Sequence, residues 1–353
     1  MKAWRLTMAT GSLEFADVPA PVARPGSVVV RVEAAPVVSY LREYVAGRLP
    51  DYDPPPDPFT PGTSAVGVVE EVGAEVYGLR PGQRVVATGH YTSAENVAEP
   101  AQALLGITAP PGSGAVLETW RDGTFAEQVV APVSTVTPLP AALDGIGGAA
   151  LIGVTRCLVP YGGLLRGRLQ AGETVVVNGA TGGFGSAGVT VAVAMGARRV
   201  VAAGRTRAVL ERLSTQNRVV TVALSGDVEA DAEALRRAAG APIDLGLDLV
   251  GGAGDPESTL ASLAALRRGG RQVLMGSMTA ALPIDYTGLM MTGKEVIGNF
   301  MYPRSAPGRL LELVAAGLLD LDGIPTEHFP LAALREAMDR AAHSGAPLVA
   351  VGG

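Results

Sequence analysis

The chain has 353 residues, 48% of them hydrophobic and 18% charged, with a net charge of −6. That length exceeds one ordinary core and points to two domains, while the negative balance leaves no diffuse attraction to nucleic acid or an anionic membrane surface, so any anion site must be local. A lone cysteine, Cys157, excludes an intrachain disulfide and a cysteine-rich zinc site, and reads as a small buried apolar side chain.

The opening stretch, MKAWRLTMATGSLEF, lacks the apolar core and cleavage site of a signal peptide, so a cytoplasmic protein is expected. Residues 1–135 then read as short strands between Pro/Gly turns, the pattern of a β-rich domain. Pro25-Gly26 leads into the valine-rich 27–32, Gly62–Val69 runs on to Val72-Gly73, Gly78–Val86 makes another turn and strand, and Asp122–Glu127 opens one more. The proline-dense 51–61 predicts a stiff loop, and 90–114 a surface lobe. The alanine- and leucine-rich 139–163 predicts helices crossing into the next domain.

The chain is organised around 174–207, TVVVNGATGGFGSAGVTVAVAMGARRVVAAGRTR. Thr174–Asn178 is a short, uncharged, β-branched run, as expected of a parallel strand buried on both faces. Gly179, Gly182 and Gly185 follow at the spacing that lets a chain turn tightly, approach a pyrophosphate and pack a new helix on the strand, each where a Cβ is expected to collide. A helix from about Gly183 to Met195 then aims its positive end at phosphate oxygens, with Gly183 and Phe184 in its first turn. A second strand, 199–203, ends at Gly204-Arg205-Thr206-Arg207. An NAD-binding unit carries an acid there for the ribose 2′-hydroxyl; a guanidinium instead suits a 2′-phosphate and predicts NADPH. The uncharged interval between Glu173 and Arg198 is broken by glycines, an asparagine and threonines, which argues against a membrane span.

Helices and strands keep alternating: helix 208–213, strand 219–222, helix 228–239, strand 243–250, helix 257–267, strand 271–275. Such alternation implies right-handed crossovers and a doubly wound parallel sheet. The C-terminal part adds helices 306–316 and 331–343 and a last strand, 347–351.

Taken together, the MKA opening, PGxVxVxV at 25–32, PGxxxxGVVxxVG at 61–73, GLRPGQRV at 78–85, GTFAE at 123–127 and GxxGGxG at 179–185 make the chain resemble the medium-chain dehydrogenase/reductase superfamily over nearly its whole length. The resemblance implies an α/β architecture: a GroES-like β-rich catalytic domain (1–135 and 300–353) with a Rossmann doubly wound parallel-sheet domain (136–299) between its parts. Zinc alcohol dehydrogenases of the superfamily carry Cys, His and Cys where this chain has Val38, Thr63 and Val154, so no metal is expected. Ser39–Arg42 and Gly153–Thr155 are instead similar to the zinc-free quinone oxidoreductase and enoyl reductase branch. That likeness implies Tyr40 near the nicotinamide face, Thr155 near its carboxamide, and Val250, Gly251, Gly276, Ser277, Phe300 and Met301 lining the nicotinamide end. Pro36-Val37-Val38, where the branch often has Asn and Asp, departs from the pattern.

The expected activity is NADPH-dependent hydride transfer to a conjugated C=C bond or a quinone, acceptors already activated without a metal, with Tyr40, backbone N–H groups or water stabilising the developing oxyanion. A carbonyl or imine reductase or alcohol dehydrogenase on the same scaffold, and a non-catalytic NADPH-binding protein, are the alternatives. Trp120, Tyr44 and Tyr91 are candidate pocket walls, whereas His90, His328 and His343 have no partner at metal-ligand spacing. Arg156, Arg166 and Arg168 are expected in solvent. A homodimer or dimer of dimers is expected through the strand at 295–300, as an edge needing cover.

Overall fold

Alternating apolar residues and Pro/Gly turns build the first of two units in the computed structural model, Met1–Thr155 with Pro307–Ala315 and Ile324–Gly353; the structure describes residues 1–343 and 345–353. Strands β1 (Lys2–Thr7) and β2 (Ser12–Asp17) pair antiparallel. The long β3 (Ser27–Val37) leads to the short helix α1 (Leu41–Val45), and β4 (Ala65–Val72) returns antiparallel to β3. Then come β5 (Arg84–Ala87), the lobe strands β6 (His90–Thr92) and β7 (Gln102–Leu104), helix α2 (Gly114–Thr119), β8 (Gln128–Pro132) and β9 (Val136–Pro138). Phe59 and Phe125 are fully buried, and their carbonyls accept from Leu6 and Trp4 N–H groups. Each such side chain contributes roughly 1.5–3 kcal/mol by leaving water. The lobe 90–114 has a small core of its own, Ala103, Leu105, Ala109 and Leu117, against which Tyr91 and Trp120 pack.

The join expected at 135/136 falls instead at Thr155/Arg156. The segment 139–152 stays with the first unit because Arg84 holds it, donating to the carbonyls of Asp144 (2.8 Å) and Ile146 (2.9 Å) while pairing with Glu33 (2.8 Å). The helices expected at 139–163 resolve into α3 (Gly148–Leu151) and α4 (Gly153–Arg166), preceded by a single 3-10 turn.

The second unit, Arg156–Ala306 with Ala316–Gly323, is a parallel sheet of six strands: β10 (Thr174–Asn178), β11 (Arg199–Gly204), β12 (Val219–Ala223), β13 (Leu245–Asp248), β14 (Arg271–Leu274) and β15 (Glu295–Gly298). Their spatial order is 12-11-10-13-14-15, and α5 (Gly183–Ala194), α6 (Arg207–Leu213), α7 (Val228–Ala239), α8 (Glu257–Ala265) and α9 (Tyr286–Thr292) connect them. Period-two alternation sends side chains to two faces. Val176, Val201 and Ala203 meet α7 and α8, while Leu245, Leu247 and Val273 meet Gly163 and Gly167 on the α4 side. This is the expected doubly wound sheet, and the reversal of strand order beside β10 creates the crevice where such sheets take ligands.

After α10 (Ala306–Ala315), strand β16 (Thr326–Pro330), helix α11 (Leu334–Ala341) and strand β17 (Leu348–Gly352) complete the first unit, β17 pairing with β3. The C-terminal part therefore returns later than the expected residue 300, and 316–323 stays with the second unit. The helical run Gly148–Arg166 is long and apolar enough to span a bilayer by composition, but 67% of it is buried inside the protein, as in a core helix.

Candidate functional site

The loop between β10 and α5 is shaped by three different constraints on its glycines. Gly179 has φ +79, a left-handed conformation that costs a side-chain-bearing residue, and it lies against Leu249 and Val250. At Gly185 a Cβ would sit 2.0 Å from the Gly179 carbonyl oxygen, so only glycine lets α5 close on the turn. Gly182 corrects the expectation that each glycine avoids a collision: its Cβ would meet nothing closer than 3.4 Å. The protein itself leaves that position open. Beside it the N–H groups of Gly183, Phe184 and Gly185, in the first turn of α5, precede the first intrahelical bond, Ser186 N–H to Gly182 O (2.9 Å). Gly182→Ala is thus expected to leave the apo melting temperature unchanged and weaken nucleotide binding, whereas Gly185→Ala lowers both, with overpacking of about 1–3 kcal/mol. Calorimetric melting with a nucleotide titration checks this; equal behaviour of the two variants would contradict it.

At the end of β11 the Ala203 carbonyl accepts from Ala180 N–H (2.9 Å), which ties the glycine loop to the second strand. A Cβ at Gly204 would meet Thr181 Cγ2 at 2.6 Å, so the acid of an NAD-type unit has no room here without moving that side chain. Arg205 and Arg207 are exposed, Thr206 caps α6 without a side-chain bond, and neither guanidinium engages another side chain among the described residues. The loop fits a dinucleotide, with two exposed guanidinium groups following the second strand.

The other expected cofactor residues follow the next three strands. Val250 and Gly251 leave β13 two residues before the expected strand end, because the Asp248 carboxylate accepts from Val250 N–H (2.9 Å). Gly276 and Ser277 follow β14, where a Cβ on Gly276 would strike the Val250 carbonyl at 2.0 Å and one on Gly251 would lie 3.2 Å from Ser277 Oγ. Phe300 and Met301 follow β15; Phe300 is exposed, and the Met301 carbonyl accepts from Asn299 (2.9 Å). From Arg205 through Gly182 and Val250 to Ser277, these positions follow one another along the carboxyl edge of the sheet.

Asp248 and Asn178 were not singled out by sequence. Asn178 Nδ2 donates to Asp248 (3.3 Å) and to Ser258 Oγ (3.3 Å), and Thr259 also donates to Asp248. Burial raises the Asp248 carboxyl despite these donors, and Asn178 Oδ1 is buried without a partner. A polar pair at the ends of two adjacent parallel strands was a signal available in VVVN and LGLD.

In the first unit, Tyr40 stands at the start of α1 and packs with the core. Its ring lies 5.8 Å from that of Tyr52, and burial first and Tyr52 second raise its phenol well above the usual value. Tyr44 is buried and donates to the Ile107 carbonyl (2.5 Å), a core role rather than a pocket wall. Trp120, half-buried, carries Arg24 over its ring (4.3 Å), packs with Tyr91 and lines a surface pocket of the first unit with Arg24, Arg121 and Val130. Thr155 Oγ1 donates to the Ile152 carbonyl (2.7 Å), which leaves its lone pairs to accept. Val38 packs on the core, Val154 is buried and Thr63 is half-buried, so these positions offer one hydroxyl between them. That donor set does not fit zinc, and among the described residues no group of three His, Cys, Asp or Glu side chains is placed to hold a metal ion.

The profile of the family described as alcohol dehydrogenase GroES-like domain matches residues 24–141, and that described as zinc-binding dehydrogenase matches residues 183–316. An L-threonine 3-dehydrogenase of Anaeromyxobacter dehalogenans (strain 2CP-C) is 31% identical over 307 residues, 82% of this chain and 81% of its own. A putative alcohol dehydrogenase D of Mycobacterium tuberculosis (strain CDC 1551 / Oshkosh) is 30% identical over 332 residues, 87% of each chain. The solved structure of a thermostable alcohol dehydrogenase from Pyrobaculum aerophilum, 25% identical, superposes with a TM-score of 0.77 over 100% of this chain and 99% of that one.

Proposed function

The chain belongs to the medium-chain dehydrogenase/reductase superfamily, and from that premise we propose that it is an NADP(H)-dependent oxidoreductase interconverting an alcohol and its carbonyl compound without a catalytic zinc ion. The observation that carries the reading is the identity of 30–31% with relatives named as threonine and alcohol dehydrogenases over more than four-fifths of the chain. It moves the leading substrate class from the expected conjugated C=C bond or quinone to the alcohol–carbonyl pair. The lack of zinc ligands at Val38, Thr63 and Val154 supports hydrogen bonding as the means of polarising the carbonyl. It also supports the second reading, because enones and quinones accept hydride with less help from a Lewis acid.

A bound nicotinamide supplies the hydride that adds to the carbonyl carbon. The glycine loop and the first turn of α5 hold the diphosphate, and Arg205 with Arg207 hold the 2′-phosphate. Thr155 Oγ1, its proton held by the Ile152 carbonyl, would be free to accept from an amide donor such as a carboxamide. The Tyr40 phenol, neutral at physiological pH, would donate a hydrogen bond to the substrate oxygen as negative charge develops there, and the proton gained or lost by that oxygen would be exchanged with solvent. Turnover of secondary alcohols, ketones, enones and quinones with NADP⁺ or NADPH, followed by nicotinamide absorbance, tests the reading. Faster turnover of alcohols and ketones supports it, faster turnover of enones or quinones favours the second reading, and no turnover across the panel favours a non-catalytic binding protein.

The protein is further proposed to act in the cytoplasm as a homodimer or dimer of dimers. Strand β15 ends the six-stranded sheet, bonded only to β14 on its path. On either side of it in sequence, Tyr286, Met290 and Met291 of α9 and Phe300 are 78%, 59%, 62% and 55% exposed. An open strand edge flanked by exposed apolar side chains is stabilised by a second copy. Light scattering at micromolar concentration should give twice the chain mass or four times it, and a monomer would overturn the assembly.

A further inference from the structure

Arg156, expected in solvent, is mostly withdrawn from it and lies against the glycine loop. Helices α4 and α5 pack closely, with Pro160 3.2 Å from where a Gly188 Cβ would stand. One turn earlier on α4, the Arg156 guanidinium lies over the bare α-carbon of Gly183, 3.3 Å from Cζ and 3.5 Å from Nε and Nη1 to where a Cβ would be. Gly183 is the first residue of α5 and is followed by the unbonded N–H groups of the first turn. No carboxylate or carbonyl among the described residues accepts a hydrogen bond from Arg156. Burial pushes its guanidinium down to about 10, so it stays cationic at neutral pH.

A cation mostly withdrawn from water, with no acceptor among the described residues, raises the energy of the apo protein. A guanidinium with fixed donors beside open N–H groups is matched to a phosphate oxygen. We infer that Arg156 binds the pyrophosphate of the nicotinamide dinucleotide, completing from α4 an anion cradle whose other half is the start of α5. The inference rests on the nucleotide-binding reading of the loop but not on the preference for NADP. Arg156 differs from Arg205 in what it recognises: the pyrophosphate is common to both nicotinamide dinucleotides, the 2′-phosphate is not.

The test is the dissociation constants of NADPH and NADH for wild type, Arg156→Gln and Arg156→Lys, by fluorescence titration, with apo melting temperatures. Arg156→Gln should weaken NADPH and NADH by the same factor, about 10-fold or more. The lysine variant, which keeps the charge but loses the fork, should weaken both by a smaller common factor. The apo melting temperature of Arg156→Gln should match or exceed that of wild type, because an unpaired buried cation has been removed. Loss of NADPH binding alone would overturn the pyrophosphate assignment. Unchanged affinity for both cofactors, or a lower apo melting temperature with affinity kept, would make Arg156 a structural residue. If Arg156→Gln does not fold, Arg156→Lys decides by the same comparison. Equal wild-type affinities for the two cofactors would remove the NADP reading and leave this inference standing, provided Arg156→Gln still weakens both.

Discussion

Arg205→Ala is expected to raise the dissociation constant of NADPH by roughly 10- to 100-fold and to leave that of NADH nearly unchanged. A charge-assisted hydrogen bond to phosphate is worth about 1.5–3 kcal/mol, and every ~1.4 kcal/mol is tenfold in affinity. The 2′-phosphate exists only in the phosphorylated cofactor, so the loss falls on NADPH alone. Arg205 is exposed and engages no other side chain among the described residues, so its removal should leave packing intact, and the difference between variant and wild type should shrink at high salt. The reverse substitution is obstructed: an acid at Gly204 would place its Cβ within 2.6 Å of Thr181. Titration of both cofactors into both proteins measures the effect. Equal wild-type affinities, or an equal loss in the variant, would remove Arg205 from cofactor selection.

Tyr40→Phe is expected to lower kcat by roughly 10- to 1,000-fold with cofactor affinity intact, because a hydrogen bond made mainly in the transition state acts on kcat. The phenol donates in its neutral form, and its folded value lies well above the usual tyrosine value. The donor is therefore present below that folded value, so kcat should show no alkaline fall due to Tyr40 from neutrality to about pH 10. A purely structural Tyr40, packed on the core and on the Tyr52 ring, gives a different pattern: a lower melting temperature with kcat kept. Measuring kcat and melting temperature on one substrate separates the two, and an unaltered kcat excludes Tyr40 from the chemistry.

The parallel sheet and its glycine loop were legible because their causes are local. A β-branched run, a glycine that must adopt positive φ and a glycine that must admit a neighbouring carbonyl all leave their mark within a dozen residues of Thr174. The position of Gly204-Arg205 was readable by the same counting. Arg156 was not, because its surroundings depend on how α4 packs on α5, and in sequence it looks like an arginine on any helix. Tyr52 was hidden in an aperiodic, proline-rich loop whose course depends on Asp57 accepting from Met8 N–H (2.7 Å) and Ala9 N–H (3.0 Å). The late join at Thr155 likewise depends on long-range bonds from Arg84. The substrate class was not legible, because the absence of zinc ligands constrains how a carbonyl is polarised and says little about which acceptor is chosen.

The claim that most needs testing is alcohol–carbonyl chemistry on this scaffold without zinc. The direct measurement is NADP⁺-dependent oxidation of a secondary alcohol by enzyme dialysed against a strong chelator, compared with untreated enzyme of known zinc content. With Val38, Thr63 and Val154 at the positions where zinc dehydrogenases carry ligands, equal rates and no stoichiometric zinc are predicted. About one zinc per chain, with activity lost to the chelator and restored by added zinc, would contradict the account.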